Sequence, residues 1–156
     1  MNGIWKLLAV AGLALGFTGD AAAEEAKAGG DTVVIHYNRP DGNYDGWGLH
    51  VWQSFQKKEE AADEWAAKEM PDAPVGGVTW FKPMKPTGKD DFGIYWAIPA
   101  KEFGNGRVNY IIHKGDKKDQ CSKDMFWTID KGLENWVVAG DCNIRLSKEE
   151  ALKAKK

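Results

Sequence analysis

Cysteine is scarce in this chain: Cys121 and Cys142 are the only two among 156 residues. An exported protein with an even count favours pairing them with each other, the other states being two buried thiols or an intermolecular bridge. A metal site built on them is disfavoured, because no second ligand stands at the short spacing such sites use. A dominant charge is also missing, with 21 basic against 23 acidic side chains and a net charge of −2. The signs are interspersed, which leaves no basic surface for nucleic acid and no polybasic patch for anionic lipid, so neither is expected as a partner. The apolar stretch from Leu7 to Phe17 falls short of the roughly 20 residues needed to cross a bilayer, and no membrane insertion is expected.

That stretch fits another purpose. Lys6 stands before it as a positive n-region, and Ala21-Ala22-Ala23 follow it as the small residues of a cleavage point, the pattern of a secretory signal peptide. Residues 1–23 are therefore expected to be removed, with no cysteine at the cleavage point to carry a lipid anchor. The mature chain is expected to be secreted or periplasmic. Residues 24–31 have no apolar periodicity and read as a flexible leader. The remainder suits one domain of about 100–150 residues and is too short to hold a catalytic barrel of roughly 250.

From Thr32 onward, short apolar alternations recur between turns rich in glycine, proline and aspartate: 32–38, 47–53, 78–81, 92–98, 107–113, 125–129 and 135–139. This spacing predicts an all-β fold, a single antiparallel sandwich of immunoglobulin type spanning 32–144. Parity places Phe92, Ile94, Trp96 and Ile98 on one strand face and Val108, Tyr110 and Ile112 on another, which makes them core residues. Residues 54–71, rich in helix formers and stopped by Pro71, read as a helical insertion, with Trp65 packing it to the sandwich. Ser147-Lys148-Glu149-Glu150 is a capping-box pattern and opens a short C-terminal helix or tail over 145–156.

The segment from Asp41 to Trp52 carries the strongest functional signal. A turn-forming run enters a strand on which Trp47, Leu49 and Val51 face the core, while Gly48, His50 and Trp52 face outward. A tryptophan held outward on a strand, two residues from a histidine and with a glycine clearing space beside them, makes a flat platform for a flat apolar ligand face. Sugars have such faces.

The same segment, with Thr32 to Pro40 before it and Ile111-Ile112-His113-Lys114-Gly115-Asp116-Lys117-Lys118-Asp119 after it, resembles the pullulanase-associated domain, carbohydrate-binding module family 41. Trp80-Phe81-Lys82-Pro83, Gly88 to Gly93 and Trp136 to Asp141 resemble the family's turn before a central strand and its closing strand. The resemblance covers nearly all of 32–144 except the helical insertion and the cysteines. It implies non-catalytic binding of α-glucan, by aromatic or imidazole groups at His50 and Trp52 and polar groups at Lys118 and Asp119. Asp116 and Lys117 stand as substitutes if the loop register shifts. It implies no cofactor. The partner is an α-glucan polysaccharide or oligosaccharide, with a separate glucan-degrading enzyme or surface assembly as a further candidate, since the module here is expected to stand alone.

Two other readings compete. His36, His50 and His113 with nearby acids are the only raw material for an enzyme, but none of them forms a ligand spacing on a helix and no nucleophile motif is present. A secreted structural or docking protein would instead use the same outward tryptophan against a protein partner. Asp90 and Asp91 are a paired-acid turn, more in keeping with capping than with calcium.

Overall fold

The computed structural model describes residues 29–53 and 73–155. The expected signal peptide and helical insertion lie outside the described residues, as does most of the leader. The strands are β1 (Thr32–Asn38), β2 (Gly48–Gln53), β3 (Ala73–Pro74), β4 (Gly88–Lys89), β5 (Ile94–Pro99), β6 (Arg107–Lys114), β7 (Lys117–Lys118), β8 (Met125–Thr128) and β9 (Glu134–Val138), followed by the helix α1 (Lys148–Ala154). They form two sheets, one in the order β4-β5-β1-β9 and the other in the order β3-β2-β6-β7, with β8 also paired to β6. The fold is an all-β sandwich.

Alternation builds its core. Val33, Ile35 and Tyr37 of β1, Ile94, Trp96 and Ile98 of β5, Leu49 and Val51 of β2, and Val108, Tyr110 and Ile112 of β6 are all buried in one cluster between the sheets. Each such side chain contributes about 1.5–3 kcal/mol on burial. Phe92 departs from its expected place: it joins a second cluster with Trp136, Val138 and Ala151. Ser147 caps α1 by accepting from the Glu150 N–H at 3.3 Å, and Ala151 seats the helix on that cluster.

Two expectations are corrected. Residues 78–81 are not a strand, because Thr79 and Lys82 exchange backbone hydrogen bonds with each other at 3.1 Å and close a tight turn. The sandwich is also not purely antiparallel: β1 pairs with β5 antiparallel but with β9 in parallel. Parallel neighbours need a long crossover, and here most of the domain lies between the two strands.

Candidate binding face

The outward residues of β2 stand in a row with those of its neighbours. Gly48 lies opposite His113, His50 opposite Ile111 and Trp52 opposite Asn109. Beyond β6 the rows continue from His113 to Lys118 and from Asn109 to Phe126. Directly opposed residues share a sheet face. His50, Trp52, His113, Lys118 and Phe126 therefore lie together on the outer side of the second sheet.

Trp80, at the tip of the Thr79–Lys82 turn, completes the surface. Its ring lies flat on His113, with centroids 4.1 Å and planes 5° apart, and its Nε1 donates to Asp116 Oδ1 at 2.9 Å. His50 meets Trp80 edge-on at 5.9 Å and Trp52 at a tilt at 5.5 Å. Trp52, His50 and Trp80 thus form one strip of rings. Burial, and then the His113 imidazole beside it, hold His50 below the usual imidazole range, so its ring is uncharged near neutral pH. Lys118 supplies the charge at the edge: its Nζ is 5.7 Å from the Trp80 ring centre and donates to Asp124 Oδ1 at 2.7 Å.

Of the four residues expected in the site, the structure brings His50, Trp52 and Lys118 together but not Asp119. The strand alternation turns the Asp119 side chain to the opposite side. Its Oδ2 accepts from the Tyr37 hydroxyl, and its Oδ1 accepts from the backbone N–H groups of Gln120 and Gly140, both at 2.8 Å. The substitutes are also occupied: Asp116 holds Trp80, and the Lys117 ammonium lies 5.9 Å from the ring centre of buried Trp47. Gly48 is corrected as well. It does not clear space for a ligand, since it is buried and a Cβ there would stand 2.7 Å from the Pro83 ring.

From the sequence, Trp80 stands out only within a resembled turn and His113 only in a resembled loop and among the histidines of the enzyme reading, neither as part of this face, and Asp124 is not singled out. The parity of β6, with Val108, Tyr110 and Ile112 inward, carried the signal for His113. Nothing periodic marks Trp80 in a two-residue turn tip, nor Asp124 on the far side of its loop.

His36 and the paired acids Asp90 and Asp91 are engaged within the fold. His36 lies in the first sheet, stacked on Trp136 at 3.6 Å, with Nδ1 2.9 Å from Asp90 Oδ2. Asp90 Oδ1 accepts from the N–H groups of Phe92 and Gly93, and Asp91 pairs with Lys148. Among the described residues no group of three or more histidines, cysteines or acids is placed to hold a metal ion. Cys121 and Cys142 are joined, with Cα atoms 5.5 Å apart. The bridge ties the turn after β7 to the chain beyond β9. Gln120, Cys121 and Ser122 in that turn have φ of 47°, 60° and 58°.

Known proteins are similar to this chain in sequence and fold. The family model described as bacterial pullanase-associated domain matches residues 31–146. An alpha-amylase of Streptomyces lividans is 38% identical over 96 residues, covering 62% of this chain and 8% of the amylase. A ligand-free mutant of PulA from Klebsiella pneumoniae has a TM-score of 0.62 at 25% identity, over 85% of this chain and 12% of PulA. The chain thus spans a small part of these relatives. A structure described as alpha-glucan recognition by family 41 carbohydrate-binding modules from streptococcal virulence factors has a TM-score of 0.55 at 14% identity, over 79% of this chain and 50% of that one, a likeness of fold.

Proposed function

This chain belongs to the bacterial pullanase-associated domain family, and from that premise we propose that it binds α-1,4-linked glucans, such as those of starch, glycogen, maltodextrin or pullulan, without cutting them. The observation that carries the reading is the strip of Trp52, His50 and Trp80, its rings spaced 5.5 and 5.9 Å apart on one sheet face. Ring faces suit the C–H side of successive glucose units. Stacking of planar ligands on aromatic side chains contributes about 1–3 kcal/mol per unit in the nucleic-acid case. The Lys118–Asp124 pair at the edge offers a donor and an acceptor for the hydroxyl rim, and Asp119 supports that loop from within.

The geometry of the described residues supports binding without cleavage. Glycoside hydrolysis ordinarily uses two carboxylates on either side of the scissile bond. Here Asp124 is paired with Lys118, Asp116 holds the Trp80 indole and Asp119 is turned inward. The signal peptide reading supports secretion, which would put the domain where polysaccharide is met.

Retention on insoluble starch, set beside cellulose and chitin, tests the proposal. The native protein is expected to be held by starch alone, and Trp52→Ala or Trp80→Ala to be released with an unchanged far-UV spectrum. No retention on any of the three would overturn glucan binding and favour a docking protein that keeps the fold.

A further inference from the structure

Phe81 is the most exposed large apolar side chain among the described residues, at 93%. It shares the tip of the Thr79–Lys82 turn with Trp80, and the turn is closed by three hydrogen bonds: two between the Thr79 and Lys82 backbones at 3.1 Å, and one from the Lys82 N–H to Thr79 Oγ1 at 3.0 Å. Trp80 is fixed below on His113 and Asp116. The turn therefore holds Phe81 up on a rigid base. A single exposed apolar residue is ordinary, but the position of this one is not.

Two depressions flank Phe81, and Gly46, Phe81 and Pro83 line both. The nearer, of about 340 Å³, is walled by Trp80, His113 and Asp116, so it opens directly from the aromatic strip. The farther, of about 440 Å³, is walled by Tyr44, Trp47, Asp45 and Lys82. Both volumes fall in the range of small-molecule sites. The farther one combines aromatic walls with a carboxylate and an ammonium, the same pairing of ring faces and polar groups found on the strip. Phe81 is the ridge between them.

We propose that Phe81 and the groove beyond it form a second glucan-binding segment, taking further glucose units of the same chain that the strip holds. The proposal rests on the glucan-binding reading above. It makes the domain sensitive to chain length: a short oligosaccharide fills the strip alone, whereas a longer one continues past Trp80, over Phe81 and into the Tyr44–Trp47 groove.

Calorimetric titration of the full chain with maltotriose and with maltoheptaose tests this. Native protein is expected to bind the heptamer more tightly than the trimer. Phe81→Ala should leave trimer affinity within about twofold and lower heptamer affinity by at least about fivefold, the low end of what one stacking contact contributes. Phe81→Tyr should restore it. Unchanged heptamer binding by Phe81→Ala would overturn the second segment while leaving the strip intact. Equal losses for both sugars would also overturn it, by assigning Phe81 to the strip. If neither sugar binds native protein, the glucan reading fails and this inference falls with it.

Discussion

Along β7 and into the residue after it, side chains alternate: Lys118 reaches Asp124 and the Trp80 ring, whereas Asp119 reaches back to Tyr37, Gln120 and Gly140. The two neighbours should therefore respond differently to truncation. Asp119→Ala removes a carboxylate that accepts three hydrogen bonds, and is expected to lower stability by about 2–3 kcal/mol, within the range for charged partners. Lys118→Ala and Asp124→Ala break a half-exposed pair and should shift stability by no more than about 0.5 kcal/mol, while weakening retention on starch. Urea midpoints and starch retention, measured on the same three variants, separate the two effects. Loss of retention by Asp119→Ala without loss of stability would restore it to the ligand face. The strand period of two was enough to read His50 and Trp52 as outward in the sequence. It gave no help with Lys118 and Asp119, because their loop has no period until its pairing with His113 is known. Trp80 reaches the site only by folding onto His113, a contact between residues 33 apart in sequence that no local pattern encodes.

The strands that sequence reading found are those long enough to alternate, such as β1, β2 and β6. β3, β4 and β7 are two residues each, too short to show a period, and all three lie at sheet margins. The turn after β7 is of another kind. Three consecutive non-glycine residues hold left-handed conformations, each at a cost of roughly 1–2 kcal/mol. Exposed Ser122 is the one to relieve: Ser122→Gly is expected to raise stability by about 1 kcal/mol, seen as a higher urea midpoint with the bridge intact. The Cys121–Cys142 bridge closes the chain across a separation of 21 residues, which in the chain-entropy account contributes about 3 kcal/mol. Replacing both cysteines with alanine should lower the midpoint accordingly. An unchanged midpoint would mean that Asp119 and its partners hold the turn unaided.

At the scale of the whole molecule, two imidazoles tie stability to pH in the same direction. Burial drives the His36 pKa below its ordinary value against the pull of Asp90 and Glu134, and burial lowers that of His50. Between the ordinary value near 6.5 and these depressed values the unfolded chain binds more protons than the folded one. The stability is therefore fully present above about 6.5 and is lost as pH falls through the depressed values. Thermal midpoints should drop between pH 7 and 5, and His36→Gln should flatten that slope. A slope identical to that of the native protein would remove His36 from the account. The pairing of β1 with β9 has a consequence in time. About 100 residues separate these strands, and at 5–20 residues per second the ribosome needs about 5–20 s to make them. Throughout that interval one edge of the Val33-Val34-Ile35 strand has no neighbour, and an open apolar edge is a template for pairing with another chain. A nascent chain halted before Glu134 is thus expected to aggregate rather than fold, so the domain's solubility is decided by how it is sheltered until its last strand arrives.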